Sequence, residues 1–485
     1  MPIGARMSFA SNIAGALPLE SAETSRKQAD AGASVADVLF RQFVDDSLGC
    51  ASYLVGDPDA GECVLVDPAF FVEPYLEEAA TLGLRIVRAL ETHTHADHVS
   101  GHGQLALEHV IPISIHPAAG AAYPHDPIEG GDTIEVGQVR IGVLHTPGHR
   151  PEHCSFTLLD GARGEEPSVV LTGDSLLVGD TARPDLAVGA REGAELLFDS
   201  LHRLLELGDS VEVFPGHVAG SLCGRRMSPA PSTTIGAERR SNAALATLGD
   251  REAFVSESSS ISTPRPPGME RIVELNRGPF VSAAPEPVPL EDAGEAVVLD
   301  VRGAKEFAAG HVEGSINVPV SGSSFATKAG FVLGQEERVV VVAASEEEAR
   351  RAIRGLHSVG FFDVPGWLAV PDARETIRSV DVGELDRLLS NDAAQVIDVR
   401  ETSERDGGYI PGTRHIPYRL LRAGALHALD RDRPVVTICE SGARAAIAAS
   451  VLAAAGFDAR PVLDGGIPAW EAAGGQLVEF RRCGS

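Results

Sequence analysis

Lysine is nearly missing from this chain. Of its 41 basic residues only Lys27, Lys305 and Lys328 are lysine, and the rest are arginine. Acidic residues number 69, so the formal net charge is −28. A surface of that sign repels polyanions, which argues against nucleic acid and an anionic membrane surface as partners. The lysine shortage fits a GC-rich coding sequence and says little about chemistry. Cysteine is scarce too: Cys50, Cys63, Cys154, Cys223, Cys439 and Cys483, with no C-x-x-C pair. Such spacing reads as reduced thiols rather than a disulfide framework, and the expected compartment is the cytoplasm. No apolar run is long enough to span a bilayer. Residues 1–34 lack a compact apolar core and read as a disordered tail rather than a signal peptide.

What is present is a length of 485 residues, enough for about three domains. The densest chemistry is Glu91-Thr92-His93-Thr94-His95-Ala96-Asp97-His98. It follows the apolar run Leu84–Leu90, which reads as a buried strand. A loop leaving a strand's C-terminal edge turns side chains toward one point, where open α/β sheets place their sites. A polar loop with scattered histidines accounts for one His. It does not account for H-x-H-x-D-H, whose neutral nitrogens and carboxylate suit a first-row divalent metal.

Three more strands end in the same manner. Val139–His145 runs into Thr146-Pro147-Gly148-His149, Ser168–Gly173 into Asp174, and Val211–Gly216 into His217. On these residues the stretch 35–280 resembles the metallo-β-lactamase superfamily. The resemblance implies an αββα sandwich with His149, Asp174 and His217 completing the metal motif. It also implies a structural Asp67; His145 and His153 lie nearby in sequence and read as neighbours of the ligands or as structural residues. Two chemistries stay open. With His93, His95, Asp97, His98, His149, Asp174 and His217 all binding, the centre is dinuclear, holds two Zn per chain and hydrolyses thioesters in the manner of glyoxalase II. With only His93, His149 and Asp174 binding, it is a two-His-one-carboxylate Fe(II) site, one iron per chain, open to O2 and substrate.

The flank from Gly173 to Leu186 resembles the persulfide dioxygenases fused to rhodaneses more than the glyoxalase II branch. Arg183 and Asp185 are expected to pair there. Val218–Arg226 departs from the mitochondrial-type glutathione persulfide enzymes, so the thiol carrier is left open. Arg225 and Arg226 are candidates for a substrate carboxylate or phosphate, or plain surface. Cys154 and Cys223 read as small buried hydrophobes. Farther on, Thr233–Leu248 reads as a helix, Ser256–Gly268 as a loop, Met269–Asn276 as a short helix and Pro285–Pro289 as a linker.

The last two hundred or so residues contain a repeat. Val297–Arg302 answers to Val396–Arg400, and Gly310–Pro319 to Gly408–Pro417. Alternating strands and helices imply parallel sheets, and both units resemble rhodaneses. In the second, strand Pro434–Ile438 leads into the loop Cys439-Glu440-Ser441-Gly442-Ala443-Arg444 and a helix from Ala445. A thiol there faces backbone N–H groups and a helix N-terminus, which favour a thiolate or a persulfide sulfur. Arg444 adds charge or orders the loop. In the first unit Ala343 stands at the Cys439 position and Glu348 at the Arg444 position, so that unit is expected to be non-catalytic.

The resemblances together imply a metallo-β-lactamase αββα sandwich followed by two rhodanese-like parallel α/β domains. The expected boundaries are 35–280, 285–372 for the rhodanese-like domain without cysteine, and 376–481 for the active one. The implied activity is oxidation of a small thiol persulfide with O2 to sulfite, plus sulfane-sulfur transfer through Cys439 to sulfite or a thiol. A homo-oligomer is compatible with this reading.

Overall fold

The computed structural model describes residues 17–18, 38–45, 47–160, 166–218, 222–224, 227–260, 263–370 and 375–479. The chain divides into two compact units, Met1–Ala283 and Ala284–Ser485.

Two sheets build the first unit. One has seven strands in chain order: Leu17–Pro18, Leu39–Asp45, Cys50–Asp57, Glu62–Val66, Arg85–Leu90, Ile113–Ile115 and Asp126–Pro127. The other runs Thr233–Thr234, Glu212–Pro215, Val169–Gly173, Cys154–Asp160, Val139–His145, Thr133–Val136. Strand alternation sorts the side chains between layers. Val169 and Leu171 join Phe40, Tyr53, Val64, Phe156 and Phe214 in the core between the sheets. Val170 and Val213 point the other way, onto Leu197, Leu201 and Leu204 of helix Ala190–Leu205 and Phe254 of helix Arg251–Ser259. Helix Glu73–Thr81 covers the outer face of the first sheet, where the Tyr75 ring meets Phe43 edge-on at 4.9 Å. This is the αββα sandwich.

Several local expectations are corrected. The helix expected over Thr233–Leu248 is broken. Thr233–Thr234 pairs with the sheet, Ile235–Ser241 is helical, and Asn242 ends that helix before a separate turn at Ala243–Leu245. Asn242 Oδ1 accepts the Ala244 N–H, a local bond that competes with helix continuation. The loop expected from Ser256 is helical as far as Ser259. Asp250 caps that helix through the Ala253 N–H, and burial of Phe254 and Val255 outweighs the serines' weak propensity. The Pro285–Pro289 linker includes an edge strand, Val288–Pro289, a position where proline needs no ladder partner. In the expected tail, Leu17–Pro18 pairs with Phe43–Val44; the rest of residues 1–34 lies outside the described residues, as do Arg225, Arg226 and Cys483.

The second unit holds two parallel sheets. One is ordered Val288–Pro289, Gly366–Ala369, Val339–Ala343, Val297–Asp300, Ile316–Asn317; the other Arg414–His415, Gln395–Asp398, Val435–Ile438, Ala459–Pro461. The repeated D-V-R motif is a staple in both. Arg302 binds the Asp300 carboxylate and the Gly310 carbonyl at 2.8 Å, and Arg400 binds Asp398 and the Gly408 carbonyl at 2.7 Å. Among the described residues no helix is long and apolar enough to cross a membrane.

Candidate functional site

The metal motif occupies the turn after strand Arg85–Leu90. Asp67, at the end of Glu62–Val66, accepts the Thr92 N–H at 2.7 Å and the Thr92 hydroxyl at 2.8 Å. Thr92 Oγ1 has one proton and gives it to Asp67. It therefore accepts from His93 Nδ1, 2.9 Å away, leaving the His93 Nε2 lone pair free. His149 is set by the same logic: Nδ1 lies 3.0 Å from the Arg183 carbonyl, which only accepts, so Nε2 again carries a lone pair. The Asp174 N–H donates to His153 Nε2 at 2.9 Å. Gly173 before it has φ +47°, and a Cβ there would sit 2.6 Å from His153 Nε2.

His149 Nε2 lies 3.4 Å and His93 Nε2 4.0 Å from Asp174 Oδ2. His149 Nε2 and Asp174 Oδ2 are buried without a hydrogen-bond partner. Burial, followed by the neighbouring imidazoles, holds His93 well below the usual histidine range. Burial also lowers His149 against the pull of Asp174. Burial alone would raise the Asp174 carboxyl, but His217 reverses this and keeps it ionised. Two neutral nitrogens and one carboxylate oxygen thus converge within 4.8 Å, a donor set that fits a divalent metal.

The other motif residues are placed differently. His217 has both nitrogens engaged, Nδ1 with Asp174 Oδ1 and Nε2 with Asp97 Oδ2, each at 2.7 Å. His98 Nδ1 bonds Asp97 at 3.1 Å. His95 turns toward Asp67 and Glu91, with Nε2 3.4 and 3.3 Å from their carboxylates. His95, Asp97 and His98 nonetheless form a second cluster tight enough to hold an ion.

The cysteine loop of the second unit follows strand Val435–Ile438. Cys439 is buried, and its Sγ receives the N–H groups of Gly442 at 3.1 Å and Ala445 at 3.4 Å. Gly442 makes this turn at φ +98°, and a Cβ there would lie 2.1 Å from the Leu463 carbonyl oxygen. Arg444 does not reach the sulfur by hydrogen bond. Both its terminal nitrogens bind Glu404, each at 2.6 Å. Glu440 is half-exposed and 3.4 Å from Arg400. In the first repeat Ala343 is buried, and Glu348 folds back to accept the Ala344 N–H at 3.0 Å while Ser345 caps the Glu348 N–H. The loop that elsewhere cradles sulfur is closed there by the chain's own carboxylate.

Comparison with known proteins identifies the families of the two halves. Residues 46–217 match the metallo-beta-lactamase superfamily, and residues 289–367 and 381–473 match the rhodanese-like domain. The mitochondrial persulfide dioxygenase ETHE1 of Homo sapiens is 31% identical over 255 residues, 52% of this chain and 92% of that protein. The Bos taurus enzyme is 31% identical over 50% of this chain and 89% of its own length. The N-terminal half of the chain belongs to the persulfide dioxygenase family. A crystal structure of a metallo-beta-lactamase from Staphylococcus aureus subsp. aureus COL is similar across 70% of this chain and all of its own, at 29% identity and a TM-score of 0.65. Homology thus supports persulfide oxidation and sulfur transfer at the level of the family.

Within the persulfide dioxygenase domain, Arg183 pairs with Asp185 at 2.7 Å and binds the Thr263 and Pro264 carbonyls, so its own carbonyl is held against His149. His145 bonds the Pro151 carbonyl and stacks on His116, away from the metal candidates. Burial pushes the Cys154 and Cys223 thiols up to about 12, which disfavours their thiolates, and Cys223 groups with Asp97 and His217. Sequence reasoning missed Asn276. Its amide donates to the His95 and His98 carbonyls at 3.0 and 2.8 Å and accepts the Ser100 N–H at 2.8 Å, stitching the metal loop to helix Met269–Arg277. A lone Asn near a helix end carries no sequence signal for this.

Proposed function

We propose that the chain oxidises a small thiol persulfide at one Fe(II) held by His93, His149 and Asp174, and transfers sulfane sulfur through Cys439. The observation that carries the first part is the division of the seven motif residues. Three potential ligand atoms converge, two of them (His149 Nε2 and Asp174 Oδ2) buried without a hydrogen-bond partner, while His217 is committed at both nitrogens to Asp174 and Asp97. Fe(II) in a two-His-one-carboxylate site supplies O2 chemistry that no side chain can. The chain's own residues orient the ligands: Thr92 and Arg183 fix the two tautomers, and His217 keeps Asp174 ionised. The overall reaction balances as persulfide, O2 and water giving thiol and hydrogen sulfite, with the outer sulfur oxidised and O2 fully reduced. For sulfur transfer, the support is the pair of N–H groups aimed at Cys439 Sγ.

A second reading rests on His98 Nε2 and both His95 nitrogens, which are buried without hydrogen bonds beside Asp97. Those atoms favour a second ion and a dinuclear zinc thioester hydrolase. O2 uptake by the Fe(II)-loaded protein with a panel of thiol persulfides separates the two. Stoichiometric uptake with sulfite release is expected; no uptake, with hydrolysis of an acylated thiol, would replace the dioxygenase by the hydrolase.

A further inference from the structure

The two modules of the second unit meet on the helix that follows the Cys439 loop: strand Ile316–Asn317 packs on helix Ala443–Ala454, and helix Phe325–Val332 shares the turn Tyr418–Leu420 with it. The Asn317 N–H donates to Ser450 Oγ at 2.9 Å, joining the first module's strand Ile316–Asn317 to helix Ala443–Ala454, which follows the cysteine loop. Arg422 reaches across to the Val332 carbonyl at 2.7 Å and to both oxygens of Glu337. Helix Phe325–Val332 of the cysteine-free module sets the Phe331 ring edge-on to Tyr418, with centroids 6.0 Å apart. Lys328 stands one turn before Phe331, on the same face of that helix. Burial lowers the affinity of the half-buried Lys328 amine for its proton. Arg444 acts in the same direction and Cys439 against it.

The other cations near Cys439 already have carboxylate partners: Arg444 has Glu404, Arg400 has Asp398 and Glu440, and Arg419 has Glu401. Lys305 is paired with Asp464 at 2.7 Å. Lys328 differs. Its Nζ donates to the Ser323 carbonyl at 2.6 Å, and no carboxylate lies within ion-pair distance of it among the described residues. An ammonium has three donor protons, so two remain. Thiosulfate is a dianion, and binding it calls for a cation with free donor protons.

We propose that Lys328 binds the sulfonate end of thiosulfate at Cys439, so that the module without a cysteine supplies the specificity-determining charge for the module that has one. The inference rests on Cys439 being the sulfur-transfer nucleophile. The Cys439 thiolate attacks the outer sulfur of thiosulfate. A new S–S bond forms, the old one breaks, and sulfite leaves with its electron pair. Cys439 is left as a persulfide anion, and total charge is conserved. Sulfite, as the acceptor in the reverse direction, meets the same ammonium.

The test is single-turnover loading of Cys439 in the full-length chain, read by intact mass, with thiosulfate or cysteamine persulfide as donor. The second donor has no sulfonate. Lys328→Ala is expected to raise the half-saturating thiosulfate concentration about tenfold or more, the usual scale for losing a charge-assisted hydrogen bond. Loading from cysteamine persulfide is expected to be unchanged, and Lys328→Arg to restore most of the thiosulfate affinity. Unchanged thiosulfate dependence in Lys328→Ala, or an equal loss with both donors, would overturn the proposal. No loading of the unsubstituted chain by either donor would overturn the Cys439 reading itself, and this inference with it.

Discussion

His149 and His217 are both buried histidines at strand ends, yet they have different work to do. His149 gives one nitrogen to a backbone carbonyl and keeps the other free, whereas His217 uses both on carboxylates. His149→Ala is therefore expected to abolish metal retention, measured by elemental analysis after dialysis. Loss of a ligand from a three-ligand site leaves little to hold the ion. Cys439→Ser is expected to eliminate sulfur transfer from thiosulfate to cyanide while leaving persulfide-dependent O2 uptake within about twofold, since the two chemistries use separate residues. A matching fall in O2 uptake would contradict that division. At this scale the sequence was informative where a residue type is rare and its place recognisable: every motif histidine and Cys439 stands at the end of a strand or in the turn that follows one. Pairing was not legible. Nothing local in the sequence joins Arg444 to Glu404, 40 positions away.

Elements carry the site through their ends. Strand alternation is a local signal, so the strands leading to His93, His149, Asp174 and His217 were readable. The helix Arg251–Ser259 was not, because its serines outvote two buried apolar residues in any short window. Asn276 is the clearest consequence at this scale. It binds a loop 176 to 181 positions earlier in the chain, a tertiary fact without periodicity. Asn276→Ala is expected to weaken metal affinity about 10–100-fold, the range for removing residues that orient ligands, in a chelator competition. Gly442→Ala is expected to impair sulfur transfer severely. Its Cβ would press on the Leu463 backbone and displace the N–H groups that face Cys439. Normal transfer by this variant would show that the left-handed turn is dispensable.

On the scale of the whole molecule, the chain joins a persulfide dioxygenase domain to a pair of rhodanese-like modules, one with and one without a cysteine. The internal repeat was legible because the D-V-R staple recurs with its own carbonyl partner in each copy. A contact such as that between Asn317 and Ser450, 133 positions apart, was not legible, because nothing local in the sequence couples the two copies. Since each compact unit has its own core, residues 284–485 expressed alone are expected to keep thiosulfate-dependent sulfur transfer, and residues 1–283 to keep O2 uptake. Loss of activity in a separated unit that remains folded by circular dichroism would mean that its site depends on the other.

Of the seven motif residues, His93, His149 and Asp174 are expected to hold a single ion, with His95, Asp97, His98 and His217 around it. The decisive measurement is metal content per chain after anaerobic loading with excess Fe(II) and removal of unbound ion. One iron per chain, lost in His149→Ala and retained in His98→Ala, is the expected result. Two ions per chain, with one lost in His98→Ala, would contradict it.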